Sequence, residues 1–239
     1  MSLEAQIAAL VQASNNLTGA VNNKIGEIDA HLEKSTAEIN KQLEQTKFML
    51  PRTAITKNQL LSIPSGQSLP ASFSIHSAVT CTLYKTIPMG PGSRDPSVIA
   101  LLQEIERDTG ANMRVSEFYR NDFNIIKLSW NSNGGRDFLA FPHSVDSATT
   151  PSIPVNSYLT IGALVKVLSG SVEESWCAGA KLGKWAFCKA KYDPWGFGAY
   201  VHLHPYRTSQ SGEVLIALPA AITGHIETLE NWFPNINFQ

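Results

Sequence analysis

The sequence predicts an α+β chain. An N-terminal long α-helix is expected to form an oligomeric coiled coil, and a mainly antiparallel β sandwich or barrel head carrying one helix follows. Three observations predict it. An 11-residue apolar repeat runs through the first 47 residues, all 21 aromatic residues and all 13 prolines lie after it, and the remainder breaks into short β-like runs separated by turn clusters.

The repeat is counted from Leu10 and reads Leu10, Ser14, Leu17, Val21, Ile25, Ile28, Leu32, Thr36, Ile39 and Leu43, a strict 4-3-4 spacing. A heptad count from Ile7 would instead put Lys24, His31, Ser35, Glu38, Gln42 and Gln45 in the seam, so it fails after Val21. Eleven residues per three turns is close to the straight helix and implies a gentle right-handed supercoil. So narrow a stripe on a lone helix has nothing to bury it, and partner helices are expected. The expected core of that bundle is Leu10, Leu17, Val21, Ile25, Ile28, Leu32, Ile39 and Leu43, with Ser14 and Thr36 as polar layers that fix register. Gly19 and Gly26 each cost about 1 kcal/mol relative to Ala, which an isolated helix tolerates badly.

Residues 1–47 are thus read as a stalk roughly 65 Å long. Residues 48–96 hold six of the prolines with many Ser and Thr, and read as a Pro-rich neck with one strand near 79–85. Residues 97–239 are read as the head. Its helix is announced by Asp95 as N-cap, Pro96 at the first position, the stripe Val98, Leu101/Leu102 and Ile105, and Gly110 as stop. Strands are expected over 113–119, 123–130, 137–141, 158–168, 185–192, 197–206 and 213–218, with Asn133-Gly134-Gly135 turning a hairpin between the second and third.

Composition narrows the function. Net charge is −1, and no basic patch stands out, so phosphate-driven nucleic-acid binding has little support. The longest apolar run, 161–168, is interrupted by Lys166 and far too short to span a bilayer, so no membrane insertion is expected. Residues 1–4 lead straight into the helix without a basic or apolar leader, so no signal peptide is expected and the chain reads as made in a cytoplasm. Cys81, Cys177 and Cys188 are odd in number without C-x-x-C spacing and read as reduced, buried thiols.

No G-x-S-x-G, H-E-x-x-H or P-loop occurs, and the chain is read as non-enzymatic. Two constellations remain. In His202-Leu203-His204 the imidazoles share one face of a strand, and three copies on a threefold axis would supply six nitrogens, a set suited to iron. Alone, the pair equally well packs in a sheet. In Tyr192-Asp193-Pro194-Trp195-Gly196-Phe197-Gly198 large rings alternate with turn residues, and Tyr206 and Arg207 follow nearby. Rings beside Asp and Arg form typical platforms for sugars, so Asp193, Trp195, Phe197, Tyr206 and Arg207 are the expected ligand-binding set. Trp176 and Trp185 read as core, and Trp195, between Pro and Gly, as exposed.

Residues 3–10 (Leu-Glu-Ala-Gln-Ile-Ala-Ala-Leu) through 22–29 (Asn-Asn-Lys-Ile-Gly-Glu-Ile-Asp) resemble the opening of tailed-bacteriophage tail-fibre subunits. His202-Leu203-His204 resembles the metal-chelating His-x-His of trimeric fibre and spike tips. The resemblance implies a virion homotrimer, with the eight apolar stripe residues as its trimer core, that docks on tail or baseplate proteins through its N-terminus and presents its head to a bacterial surface glycan. The alternative is an attachment or decoration protein of the virion without receptor binding. A depolymerase or deacetylase would need a carboxylate pair or a triad in a groove.

Overall fold

A computed structural model of the chain describes residues 2–49, 51–133, 136–146 and 150–233, the side chains of 47–49 aside. The chain divides into two compact units, Met1–Leu50 and Pro51–Gln239.

The first unit is one helix, α1 (Leu3–Met49), 47 residues without a break. Its stripe is bare: Leu10, Leu17, Val21, Ile25, Ile28, Leu32, Ile39 and Leu43 are between 48% and 72% exposed. No residue from 2 to 46 is buried. Local pairs such as Lys24–Glu27 at 2.5 Å contribute only a few tenths of a kcal/mol each. Among the described residues of this unit, nothing covers the stripe.

Among its described residues the second unit holds twelve strands and one α-helix. β1 (Phe73–Ile75), β2 (Val79–Ile87), α2 (Pro96–Thr109), β3 (Phe123–Asn131), β4 (Asp137–Phe138), β5 (Ala140–Pro142) and β6 (Ser152–Pro154) come first. β7 (Leu159–Ser169), β8 (Val172–Glu173), β9 (Trp185–Tyr192), β10 (Tyr200–His202), β11 (Tyr206–Arg207) and β12 (Ser211–Thr223) complete it. A five-stranded antiparallel sheet, in the order β2-β3-β12-β7-β9, is the frame. One face packs against α2 through Val98, Leu102, Ile105, Ile125, Leu164, Trp185 and Leu215. The other packs under three small sheets, β1-β5, β10-β6 and β4-β11-β8. The α+β class is as expected, but the second layer is a patchwork of short sheets rather than a matching sandwich half, and the order ends on two open edges rather than closing a barrel.

With both faces covered, β7 is buried from Leu159 to Val165, which accounts for its unbroken apolar run. Two irregularities decide which residues face which layer. β12 shifts register between Ala217 and Ala220, where Leu218 takes φ +56° and Pro219 follows. Val214 and Ile216 before the shift join Ala221 after it on the patchwork face, so the parity of the strand inverts. β2 does the same at its shift between Leu83 and Lys85, sending Cys81 to one layer and Ile87 to the other.

α2 begins and ends as expected. Asp95 accepts from the Ser97 and Val98 amides at 2.8 and 3.0 Å, and Gly110 closes the helix in the left-handed region at φ +74°. Four expectations fail, the simplest being 137–141, which is not one strand but β4 and β5 in different sheets. Residues 113–119 are not a strand. Their carbonyls are taken up by the buried Arg94, whose guanidinium donates to Arg114 O at 3.2 Å and Val115 O at 2.5 Å and stacks on Tyr119 at 3.9 Å. Residues 197–206 form two strands in different sheets, β10 and β11, because Gly198 is at φ +77° and Pro205 cannot donate to a ladder. The Gly134-Gly135 turn lies outside the described residues, and the strands flanking it do not form the expected hairpin: β3 pairs with β2 and β12, and β4 with β11.

Residues 51–96, read from their prolines as a neck, lie within the second unit. Ala54 and Leu61 are fully buried, and Ala54 bridges to Ile222. Cys81, Cys177 and Cys188 are free and buried, and burial pushes the Cys81 thiol up to about 11 and Cys188 to about 12. They are poor nucleophiles. Among the described residues no helix is long and apolar enough to cross a membrane.

Candidate functional site

The most exposed aromatic chemistry of the second unit is the loop between β9 and β10. Every residue from Asp193 to Gly198 is exposed. Trp195 is 57% exposed and Phe197 has no cover at all, while Tyr200 at the start of β10 is 58% exposed. Pro194 and two glycines with positive φ, Gly196 at +99° and Gly198 at +77°, turn the chain where a side chain would be strained. Backbone bonds hold the base: Trp195 N to Val155 O at 2.9 Å and Val155 N to Ala199 O at 3.0 Å. The Trp195 ring stands edge-on to Tyr192 at 5.5 Å.

From Tyr200 the rings continue along one side of an extended segment. Tyr200, His202, His204 and Tyr206 are two residues apart, and their centroids are spaced 5.4, 5.0 and 4.9 Å. Arg136 caps the far end, 3.7 Å over Tyr206, and pairs with both Glu173 and Glu174. Glu174 and Ser175 sit at φ +65° and +47°, a strained turn held by Arg136 on one side and by Ser175 Oγ donating to Leu203 O at 2.5 Å on the other.

The five expected ligand residues are not all together. Asp193, Trp195 and Phe197 share the exposed loop, and Tyr206 is half-buried under Arg136. Arg207 is a correction: it is wholly buried, ion-paired to Asp137 and donating to Ser132 O, and no external ligand reaches it. That pair and the carbonyl engage its two terminal nitrogens, while its buried Nε has no hydrogen-bond partner among the described residues.

The histidine pair does not fit an octahedral threefold set. The two rings are stacked at 5.0 Å and 16°. His202 is exposed and its Nδ1 meets Ser152 Oγ at 3.1 Å, but His204 is buried, so one imidazole per chain faces outward instead of two. Burial, and then His202, push His204 down to about 4. Among the described residues no group of three or more His, Cys, Asp or Glu is placed to hold a metal.

Trp176 and Trp185 are buried, as expected. The sequence reading placed Tyr200 near the aromatic cluster but left it out of the ligand set, although its two-residue spacing was there to be seen, and it missed His225, which had no local signal. It also missed a Ser–His contact, Ser74 Oγ to His143 Nε2 at 2.8 Å; no described hydrogen bond joins that imidazole to a carboxylate. No protein-family model matches this chain, and no curated protein matches it.

Proposed function

We propose that the chain is a homotrimeric virion fibre subunit of the tailed-bacteriophage type, non-enzymatic, with α1 as the stalk that attaches it to tail or baseplate proteins and the β head binding a bacterial surface polysaccharide. The observation that supports trimerisation is the stripe: eight large apolar side chains at 11-residue periodicity, all exposed along one helix. Fully burying each gains about 1.5–3 kcal/mol, which a bundle of copies collects in every layer. The loop at 193–198 supports the binding role. Trp195 and Phe197 present apolar ring surface to solvent on a glycine-set turn, and the pyranose ring of a sugar has the complementary flat apolar face. Three linked heads turn weak individual sites into avid attachment through effective concentration.

Light scattering tests the first half: three times 26.1 kDa, about 78 kDa, is expected. Binding to a panel of immobilised bacterial surface polysaccharides tests the second, with Trp195→Ala as the loop variant. A trimer that binds none of them reassigns the loop to a protein interface, and the chain becomes an attachment or decoration subunit.

A further inference from the structure

We propose that His225 is the positioning residue of the 193–198 loop, a proton-dependent latch that fixes how Trp195 is presented. As regulation of a binding site this rests on the reading of that loop as the receptor contact; as a latch it stands on geometry.

His225 is mounted on a rigid post. Gly224 N donates to Tyr158 O at 2.7 Å, the fully buried Thr160 donates its hydroxyl to Gly224 O at 2.7 Å, and Ile226 N donates back to Thr160 Oγ1 at 2.9 Å. The backbone on both sides of the histidine is thereby tied to β7 of the central sheet. From that post Nε2 reaches two groups at the root of the loop, the Tyr192 carbonyl and Asp193 Oδ1, each at 3.2 Å. Tyr158 packs edge-on against the ring at 5.0 Å. The neighbouring charges are engaged with one another: Glu227 pairs with Lys189 and Lys191. Asp193 is thus the charged group in contact with the imidazole.

The loop beyond Asp193 is pinned at its base by Trp195 N on Val155 O and Val155 N on Ala199 O, with Ala199 N on Gly196 O at 3.3 Å, and Gly196 and Gly198 are the positions between these bonds where its backbone has most freedom. A neutral imidazole donating from Nε2 offers a hydrogen bond to the Tyr192 carbonyl or to Asp193. A protonated one adds a full ion pair to Asp193, next to the edge-on contact that seats Trp195 against Tyr192. Protonation therefore shifts the loop toward the seated form. For a partly exposed pair the shift is about two- to five-fold in the seated-to-free ratio.

Acrylamide quenching of tryptophan emission in the full chain reads this directly, because Trp130, Trp176, Trp185 and Trp232 are buried and Trp195 is not. Trp195→Phe supplies the blank. Between about pH 8 and pH 5.5 the native protein is expected to become less quenchable, by up to about two-fold. His225→Gln and Asp193→Asn are each expected to abolish that pH dependence and to stay at the native high-pH value. Asp193 is on the surface, so its variant keeps the test alive if His225→Gln misfolds. Superimposable profiles for native protein and both variants overturn the latch. Polysaccharide binding measured at the same two pH values separates the two proposals: a titrating latch without binding removes the receptor reading alone, and binding with a flat quenching profile removes the latch alone.

Discussion

Isoleucines at 25 and 28 and at 125 and 126 make the comparison. The first two are 51% and 63% exposed on the stalk helix, and the second two are fully buried between the layers of the head. The residue type is the same, so the difference lies in what the chain itself provides. The head folds a second and a third layer over its central sheet, and both faces of that sheet find cover within one chain. The helix of the first unit has a face of the same chemistry, exposed among its described residues. Under the proposed assembly, the apolar stripe exposed along α1 is the surface that other copies would cover.

The sharpest way to break the comparison is to charge the stripe. Ile25→Asp with Ile28→Asp should remove about 2–5 kcal/mol per site and per chain, enough to turn the trimer mass into that of monomers while the head melts as before. A trimer that survives would place the assembly contacts in the head. Deletions sharpen it further. Removing residues 21–31 keeps Leu32 in phase with Leu17 and shortens the stalk by about 16 Å, so light scattering should still find a trimer. Removing seven residues puts the downstream seam out of phase and should weaken assembly.

In the head the corresponding break is Trp185→Ala. The ring is 1% exposed against α2, and its loss should cost about 3–5 kcal/mol in the head's thermal or denaturant unfolding, with the stalk helix signal in circular dichroism unchanged.

A smaller effect follows from His204. Its pKa is lowered by folding from 6.5 to about 4, so the fold is favoured by keeping it neutral. That contribution is complete above the unfolded value and is lost as pH falls from about 6.5 towards 4. The melting temperature should therefore drop across this window, and His204→Phe, which keeps a ring against Phe138 and Phe141, should drop less.

The smallest expected stability effect is at the loop. Trp195→Ala should leave the melting temperature unchanged while weakening polysaccharide binding by about 1–3 kcal/mol per site. Because Lys189, Lys191 and Arg136 are each paired with a glutamate, affinity should change little between low and high salt. Early melting of Trp195→Ala would mean that the ring packs rather than presents.

Much of this molecule was legible in the sequence because its determinants are local. The 4-3-4 stripe marks a helix whatever surrounds it. Asp95, Pro96 and Gly110 bound α2 within one turn at each end. Trp195 between Pro and Gly is exposed as its neighbours imply. Other features had no local signature, because their partners are distant in the chain. Arg94 keeps residues 113–119 out of a strand by capping carbonyls some twenty positions away. Arg207, chosen as a surface cation, is buried because Asp137, 70 positions earlier, neutralises it. The bulges at Leu83–Lys85 and at Ala217–Ala220 invert which residues face which layer, and strand alternation read from the sequence presumes no such shift. The sequence by itself determined a bare helical stripe and the boundaries of α2, since both depend on residues within a few turns. Only the tertiary structure decided which charges are interior, and that His225, 32 positions after Asp193, meets it at the root of the loop. A charge is settled by its partner, and chain folding alone brings partners so far apart together.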